Sequence, residues 1–446
     1  MPLWFESALL DTGWADAVRV TIADGRIASL ETGAAIGPGD ARHGPALAGL
    51  PNLHSHAFQR AMAGLTEVRG PSADSFWTWR EAMYRFVDRL DPDGLRDVAA
   101  LAYAEMLEGG FTRVGEFHYL HHAPDGAPYE APAATAQAIA EAANETGIAV
   151  TLLPVFYNHA DFGGVPATSG QRRFVNGLDA YARLWDASAA AIAGLPRANI
   201  GVAPHSLRAV TPEELEAVVA LARGGPIHIH AAEQLAEVES CLAWSGARPV
   251  EWLLDHGAGP GWCLVHATHM TPEETLSLAR SGAVAGLCPI TEANLGDGIF
   301  PADDYLPAGG LIGIGSDSNV LIDAAQELRM LEYSQRLAKR ARNVLAAGEG
   351  ASTGASLYAA ALRGGGAALG VPATPLAQGA PADIVAFAPG QPHKGDTLLD
   401  AWVFASRSGM VDSVWVHGQQ QVADGRHRLR DAIEPRYRAL LAELLE

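Results

Sequence analysis

Five residues carry most of the chemistry this chain offers, and each closes a run with the character of a buried strand. His54 and His56 end the run Pro51-Asn52-Leu53-His54-Ser55-His56, His230 ends 226–230, His266 ends 262–266, and Asp317 follows 311–316. Residues i and i+2 on a strand face the same way, so the imidazoles of His54 and His56 can enter one site. Imidazole nitrogen and carboxylate oxygen suit a borderline-soft divalent ion. Three or four such ligands with one position left for water make the catalytic arrangement of zinc. Any single histidine at a strand end can be a satisfied polar residue of the core. The joint pattern carries the argument: a His-x-His pair, with further histidine and aspartate on other strands.

Those residues need a scaffold that brings strand ends together. Runs suited to buried parallel strands fall at 47–53, 113–117, 149–155, 200–204, 226–230, 262–266, 283–288 and 311–316, with helical stretches between them. Two of the helices open alike, on Thr211-Pro212-Glu213-Glu214 and Thr271-Pro272-Glu273-Glu274. Each offers Thr as N-cap, Pro at the first helical position and Glu three after the cap. Strand–helix units in such a series place the chain in the α/β class and predict a (β/α)8 TIM barrel over 47–370. Its active site would lie at the C-terminal strand ends, where all five residues fall. Strand patterns return at both chain ends: 17–22 and 26–30 around Asp24-Gly25, then 382–387 and 413–417, before a terminal helix at 431–446. Segments 1–46 and 371–446 are thus expected to build one small β-sandwich domain.

Composition limits the partners. The chain has 446 residues, 48% hydrophobic and 18% charged, enough apolar material for a large core. A formal charge of −20 argues against nucleic acid or an anionic membrane surface as a partner. The first residues lack a basic region, and no apolar run of about 18 residues exists to span a bilayer. Cys241, Cys263 and Cys288 are scattered, which suits a reducing compartment. A soluble, cytoplasmic protein is expected. The Ala-rich outer stretches 187–193 and 359–362 offer a face on which a homodimer could form.

The His54-Ser55-His56 motif, with His230, His266 and Asp317 at the ends of strands five, six and eight, resembles the amidohydrolase superfamily. That resemblance implies a metal-dependent barrel flanked by a small β domain made from both chain ends. Binuclear members commonly bridge two ions with a lysine after strand four, but here no lysine precedes Lys339, which favours one ion. His230-Ala231-Ala232-Glu233 resembles the mononuclear aminohydrolase branch, in which the glutamate shuttles protons to the leaving nitrogen. The stretches PNLHSHAFQRAMAGL, SFWTWREAMYRF, EFHYLHH and CPITEANLGDGIFP resemble the N-formimino-L-glutamate deiminase family within it. The run Thr291-Glu292-Ala293-Asn294-Leu295-Gly296 departs from the Ser-Asn-x-x-Leu-Gly element of purine-type deaminases, which disfavours purine-like substrates.

The resemblance implies His54, His56, His230 and Asp317 as ligands of one divalent ion, with zinc the first choice and iron or manganese also suited. It implies Glu233, His266 and Asp317 as the proton-handling set. Gln59, Arg80, Tyr119, His205 and Arg208 would bind a small-molecule dicarboxylate. Arg80 after strand one and Arg208 after strand four suit this, because a guanidinium fork pairs with carboxylates bidentately. The implied reaction is hydrolytic deimination of N-formimino-L-glutamate to N-formyl-L-glutamate and ammonia, in histidine degradation. Two relatives of that chemistry share the metal set: a deaminase of another amine, guanidino or aromatic substrate, and a cyclic-amide hydrolase of the imidazolonepropionase type. A non-catalytic scaffold is disfavoured by the complete ligand set. His228 reads as a buried barrel residue, and His118, His121 and His122 as structural. Cys288 has no general base to make it a nucleophile.

Overall fold

A computed structural model describes residues 2–69, 76–371, 373–406 and 409–446. Two nine-stranded sheets organise it. One is parallel and holds the strands that present the histidines. Its members are Leu50–Ser55, Phe111–His118, Ala149–Phe156, the short pair Asn199–Ile200 and Ala203–Pro204, Ile227–Ala231, Trp262–His266, Val284–Leu287 and Leu311–Ile314. We call these parallel strands one to eight, counting the broken fourth as one. Phe111–His118 and Ala149–Phe156 are buried at every position, as expected of strands covered on both faces.

The pairing path runs from Asn199–Ile200 through strands three, two and one to strands eight, seven, six and five. Strand eight joins strand one at Ile314↔Asn52. The free ends of the path meet through isolated parallel bridges, Val202↔Ile227 and Ser206↔His230. The C-terminal ends of all eight strands therefore face one region.

Two expectations need correction in detail. The apolar run 47–53 is divided: Ala46–Ala48 enters the other sheet, and only Leu50–Ser55 is parallel strand one. Gly49 makes the hand-over, since a Cβ there would lie 2.1 Å from Thr112 Cγ2. The fourth strand breaks around Gly201, whose Cβ would lie 2.3 Å from the Pro226 carbonyl oxygen.

The second sheet is mixed and draws on both chain ends. Leu3–Leu10, Gly13–Ala23, Arg26–Glu31, Ala41–His43 and Ala46–Ala48 come from one end, and Ile384–Phe387, Val411–Val416, Gln419–Ala423 and Arg426–His427 from the other. Ala46–Ala48 is the joint, pairing with Leu3–Leu10 at Ala8↔Ala46 and with Ile384–Phe387 at Ile384↔Ala48.

The two Thr-Pro-Glu-Glu openings form as their chemistry requires. Thr211 Oγ1 accepts from the Glu214 amide at 3.3 Å while Glu214 Oε2 accepts from the Thr211 amide at 2.8 Å. Thr271 and Glu274 repeat this at 3.2 and 2.8 Å. These helices, Pro212–Leu221 and Pro272–Ser281, follow strands four and six. Among the described residues, no helix is long and apolar enough to cross a membrane.

Candidate metal centre and substrate cavity

His54, His56, His230 and Asp317 converge, all buried, with ligand atoms within 4.8 Å of one another. His54 Nε2 lies 3.2 Å from His56 Nε2 and 3.1 Å from His230 Nε2. Asp317 Oδ1 lies 3.5 Å from His54 Nε2 and 3.2 Å from His56 Nε2. Ligands about 2.0–2.1 Å from a tetrahedral ion stand roughly 3.3–3.4 Å apart, so the spacing fits a single divalent cation.

The ring tautomers fit as well. His56 Nδ1–H donates to the Phe117 carbonyl at 2.9 Å and His230 Nδ1–H to the His205 carbonyl at 3.0 Å. Both rings thereby turn an Nε2 lone pair to the centre, the outer-sphere device by which proteins orient metal-binding imidazoles. Burial holds His54 down to about 3 and His230 well below its ordinary value, so both stay neutral donors. Burial opposes ionisation of Asp317, yet the neighbouring His54 and His56 rings hold its carboxyl well below the usual range. A second cluster, His266, Cys288 and Asp317, shares the aspartate. Burial pushes the Cys288 thiol well above its ordinary value.

The backbone pays a strain here. Asp317 has φ +45°, His266 +70° and Ala232 +52°, a left-handed region that ordinary side chains rarely occupy. Such conformations persist where surrounding contacts over-determine them. Asn319 Nδ2 supplies three, to Ser55 Oγ at 3.1 Å, the His56 carbonyl at 3.0 Å and the Asp317 carbonyl at 3.2 Å.

A cavity of about 580 Å³, its mouth included, opens from the ligand cluster. His56, Gln59, Arg80, Tyr119, His205, Arg208, His230, Glu233, His266 and Asp317 all line it, and His54 lies at its base. Every residue expected to hold the ion, handle protons or bind substrate is therefore in one place. Glu233 sits beyond strand five, its amide and that of Ala232 donating to Glu237 at 3.1 and 3.2 Å. Burial raises its carboxyl to about 7. His266 Nε2 faces Glu233 Oε1 at 3.9 Å and Asp317 Oδ2 at 4.0 Å. Burial alone would depress this imidazole, but Glu233, Glu292 and Asp317 lift it to about 10.

The other end of the cavity is cationic and aromatic. Arg208 is buried; desolvation opposes its charge, but the carboxylates of Glu237 and Glu233 sustain it. The Arg80 guanidinium lies 5.7 Å from the centre of the Tyr84 ring. Gln59 Nε2 donates to the Tyr119 hydroxyl at 2.9 Å, and burial holds that phenol well above its ordinary range, hence protonated. The His205 ring packs 4.7 Å from Tyr157 and 4.9 Å from His230, linking the two ends.

Residues outside the expected set contribute too. Trp79, Met83, Tyr84, Tyr157, Phe174, Leu295 and Ser318 complete the wall, and Glu292 Oε1 lies 3.2 Å from His266 Nδ1. The expected structural histidines have backbone or hydroxyl partners. His118 Nε2 is 3.0 Å from Thr135 Oγ1, His121 Nε2 2.8 Å from the Val155 carbonyl, and His228 Nε2 2.7 Å from the Ala368 carbonyl.

Residues 46–420 match the amidohydrolase family. The chain belongs to that family. Residues 4–44 match the N-terminal domain of formimidoylglutamate deiminase HutF. A formimidoylglutamate deiminase of Pseudomonas aeruginosa is 49% identical over 451 residues, covering 100% of this chain and 99% of that protein. An 8-oxoguanine deaminase of the same organism is 31% identical over 340 residues, 71% of each chain. Among amidohydrolase structures, one from Brucella melitensis superposes with a TM-score of 0.97 at 56% identity over 100% of both chains. A zinc-bound adenosine deaminase from Xanthomonas campestris shares the fold, with a TM-score of 0.81 over 99% of this chain and 98% of that one, at 21% identity.

Proposed function

We propose that this amidohydrolase hydrolyses N-formimino-L-glutamate to N-formyl-L-glutamate and ammonia, the deimination step of histidine degradation. The full-length likeness to the Pseudomonas deiminase carries the reading, and the cavity gives it a chemical reason. It joins a four-ligand cation site to two arginines, as a substrate with an amidine-like head and two carboxylates would require.

Zinc is the proposed ion, held by His54, His56, His230 and Asp317. When bound, such an ion lowers the pKa of a water from 15.7 towards about 7, supplying a nucleophile at neutral pH. Arg80 and Arg208 pair with the glutamate carboxylates, while Gln59, Tyr119 and His205 fix the chain between them. Holding the formimino carbon against the nucleophile makes the attack effectively intramolecular, worth about 7–11 kcal/mol when the geometry is good. Asp317 Oδ2 and His266 Nε2 flank the attacking water: Asp317 receives its proton, while His266, charged at neutral pH, directs Nε2–H at the nucleophile. As water adds to the formimino carbon and the C–N bond breaks, Glu233 delivers a proton to the departing nitrogen. Its raised carboxyl suits this, because a proton shuttle works best with a pKa near the working pH.

The chain-end sheet is read as a small β-sandwich domain from segments 1–46 and 371–446, supporting a (β/α)8 catalytic barrel over 47–370. The substrate reading is tested by offering the metal-loaded enzyme N-formimino-L-glutamate, N-formimino-L-aspartate and 8-oxoguanine. Ammonia should come from the glutamate compound by a wide margin, with N-formyl-L-glutamate as co-product. Release from the purine alone would discard the dicarboxylate pocket and keep the metal chemistry.

A further inference from the structure

We infer that Glu292 is the positioning residue of His266, forming a carboxylate–imidazole pair that decides which ring nitrogen faces the reacting atoms. The catalytic consequence rests on the deiminase reading; the pair itself rests on geometry. Glu292 lies in the short helix Pro289–Leu295, which follows parallel strand seven, and is buried. Its Oε1 accepts from the Cys288 amide at 2.9 Å, so that oxygen is fixed independently of the histidine. The same atom lies 3.2 Å from His266 Nδ1.

The helix is held from behind as well: Glu327 Oε2 accepts from the Ile290 amide at 3.0 Å, and the Glu292 carbonyl accepts from the Asp297 amide at 2.9 Å. A proton on Nδ1 completes the contact to Glu292 and leaves Nε2 to face Glu233 and Asp317. The other tautomer would set an imidazole lone pair against a buried carboxylate, which costs the desolvation of an unmatched polar group. The backbone does not hold His266 in place by preference, since His266 and Ala267 have φ +70° and +49°. A side-chain anchor is needed, and Glu292 is the one in contact with Nδ1.

Carboxylates serve imidazoles this way in Ser-His-Asp sites, where the amide replacement leaves geometry intact and costs about 10⁴ in kcat. The test is Glu292→Gln, with steady-state kinetics, metal content and thermal unfolding measured beside the wild type. The pair predicts a loss in kcat on the order of 10²–10⁴-fold, with KM, metal content and unfolding midpoint unchanged. A variant with unaltered kcat, or one that loses activity only in proportion to lost metal or fold, would overturn it. Nitrogen-15 NMR of the histidine rings in metal-free wild-type protein supplies a second readout that needs no folded variant. His266 Nδ1 should be protonated in the imidazolium and the neutral ring alike, and a bare Nδ1 would refute the pair. Should the wild type release no ammonia from N-formimino-L-glutamate, the deiminase reading fails, while the NMR result still decides the pair.

Discussion

On the proposed reading, Arg80 and Arg208 are where substrate choice is most exposed to mutation. Losing one partner of a buried charge pair costs about 2–5 kcal/mol, so Arg80→Met or Arg208→Met should raise KM by roughly 30-fold to several thousandfold. Steady-state kinetics check this, and a KM that stays put would remove the dicarboxylate from the account. Glu233→Gln should act differently, lowering kcat by about 10²–10⁴-fold, the usual contribution of a positioned proton donor. KM should barely move in that variant. The clustering of the proposed ligands His54, His56, His230 and Asp317 was legible because a strand-end position and an i, i+2 spacing are local facts about the chain. Glu292 was visible only as a departure from a familiar element. Its partner lies 26 residues earlier, and no local pattern couples a glutamate in a short helix to a distant imidazole. Tyr157 follows the strand Ala149–Phe156 directly, and the strand-end rule that found the histidines extends to it. Tyr84 carries no such mark.

At the scale of elements, the two capping boxes make the sharpest claim. Each Thr side chain satisfies an amide that the helix itself leaves unpaired, so Thr211→Ala and Thr271→Ala should each cost about 1 kcal/mol of stability. Urea unfolding measures this, and two neutral substitutions would mean that the boxes add nothing to tertiary packing. The boxes were readable because capping chemistry is confined to four consecutive residues. Buried parallel strands were readable as apolar runs, but such runs carry no information about which sheet they join. Hence 47–53 read as one strand although Ala46–Ala48 and Leu50–Ser55 belong to different sheets. The strand Leu3–Leu10 was not apparent because its buried residues, Leu3, Phe5, Ala8 and Leu10, break strict alternation.

For the whole molecule, the chain ends showed strand chemistry without showing their partners. The pairing of Ala46–Ala48 with Ile384–Phe387 spans most of the chain, and no short-range signal specifies it. The buried histidines give a global prediction. Burial holds His118 at about 3 and His228 at about 4, both below the ordinary value of 6.5. The unfolded chain binds those protons and the folded one refuses them, so stability must fall as pH drops below about 6.5. Within that window each group lowers the folded-to-unfolded ratio by about tenfold per pH unit, until its folded value is reached. Urea unfolding at about pH 7 and about pH 5 should show the loss, and equal stability would contradict neutral burial of these rings. The central claim, metal-dependent deimination, is tested most directly by following ammonia from N-formimino-L-glutamate before chelation, after chelation and after one equivalent of zinc is restored. The account predicts release, then silence, then recovery at one ion per chain. Undiminished release from chelated, metal-free protein would contradict it.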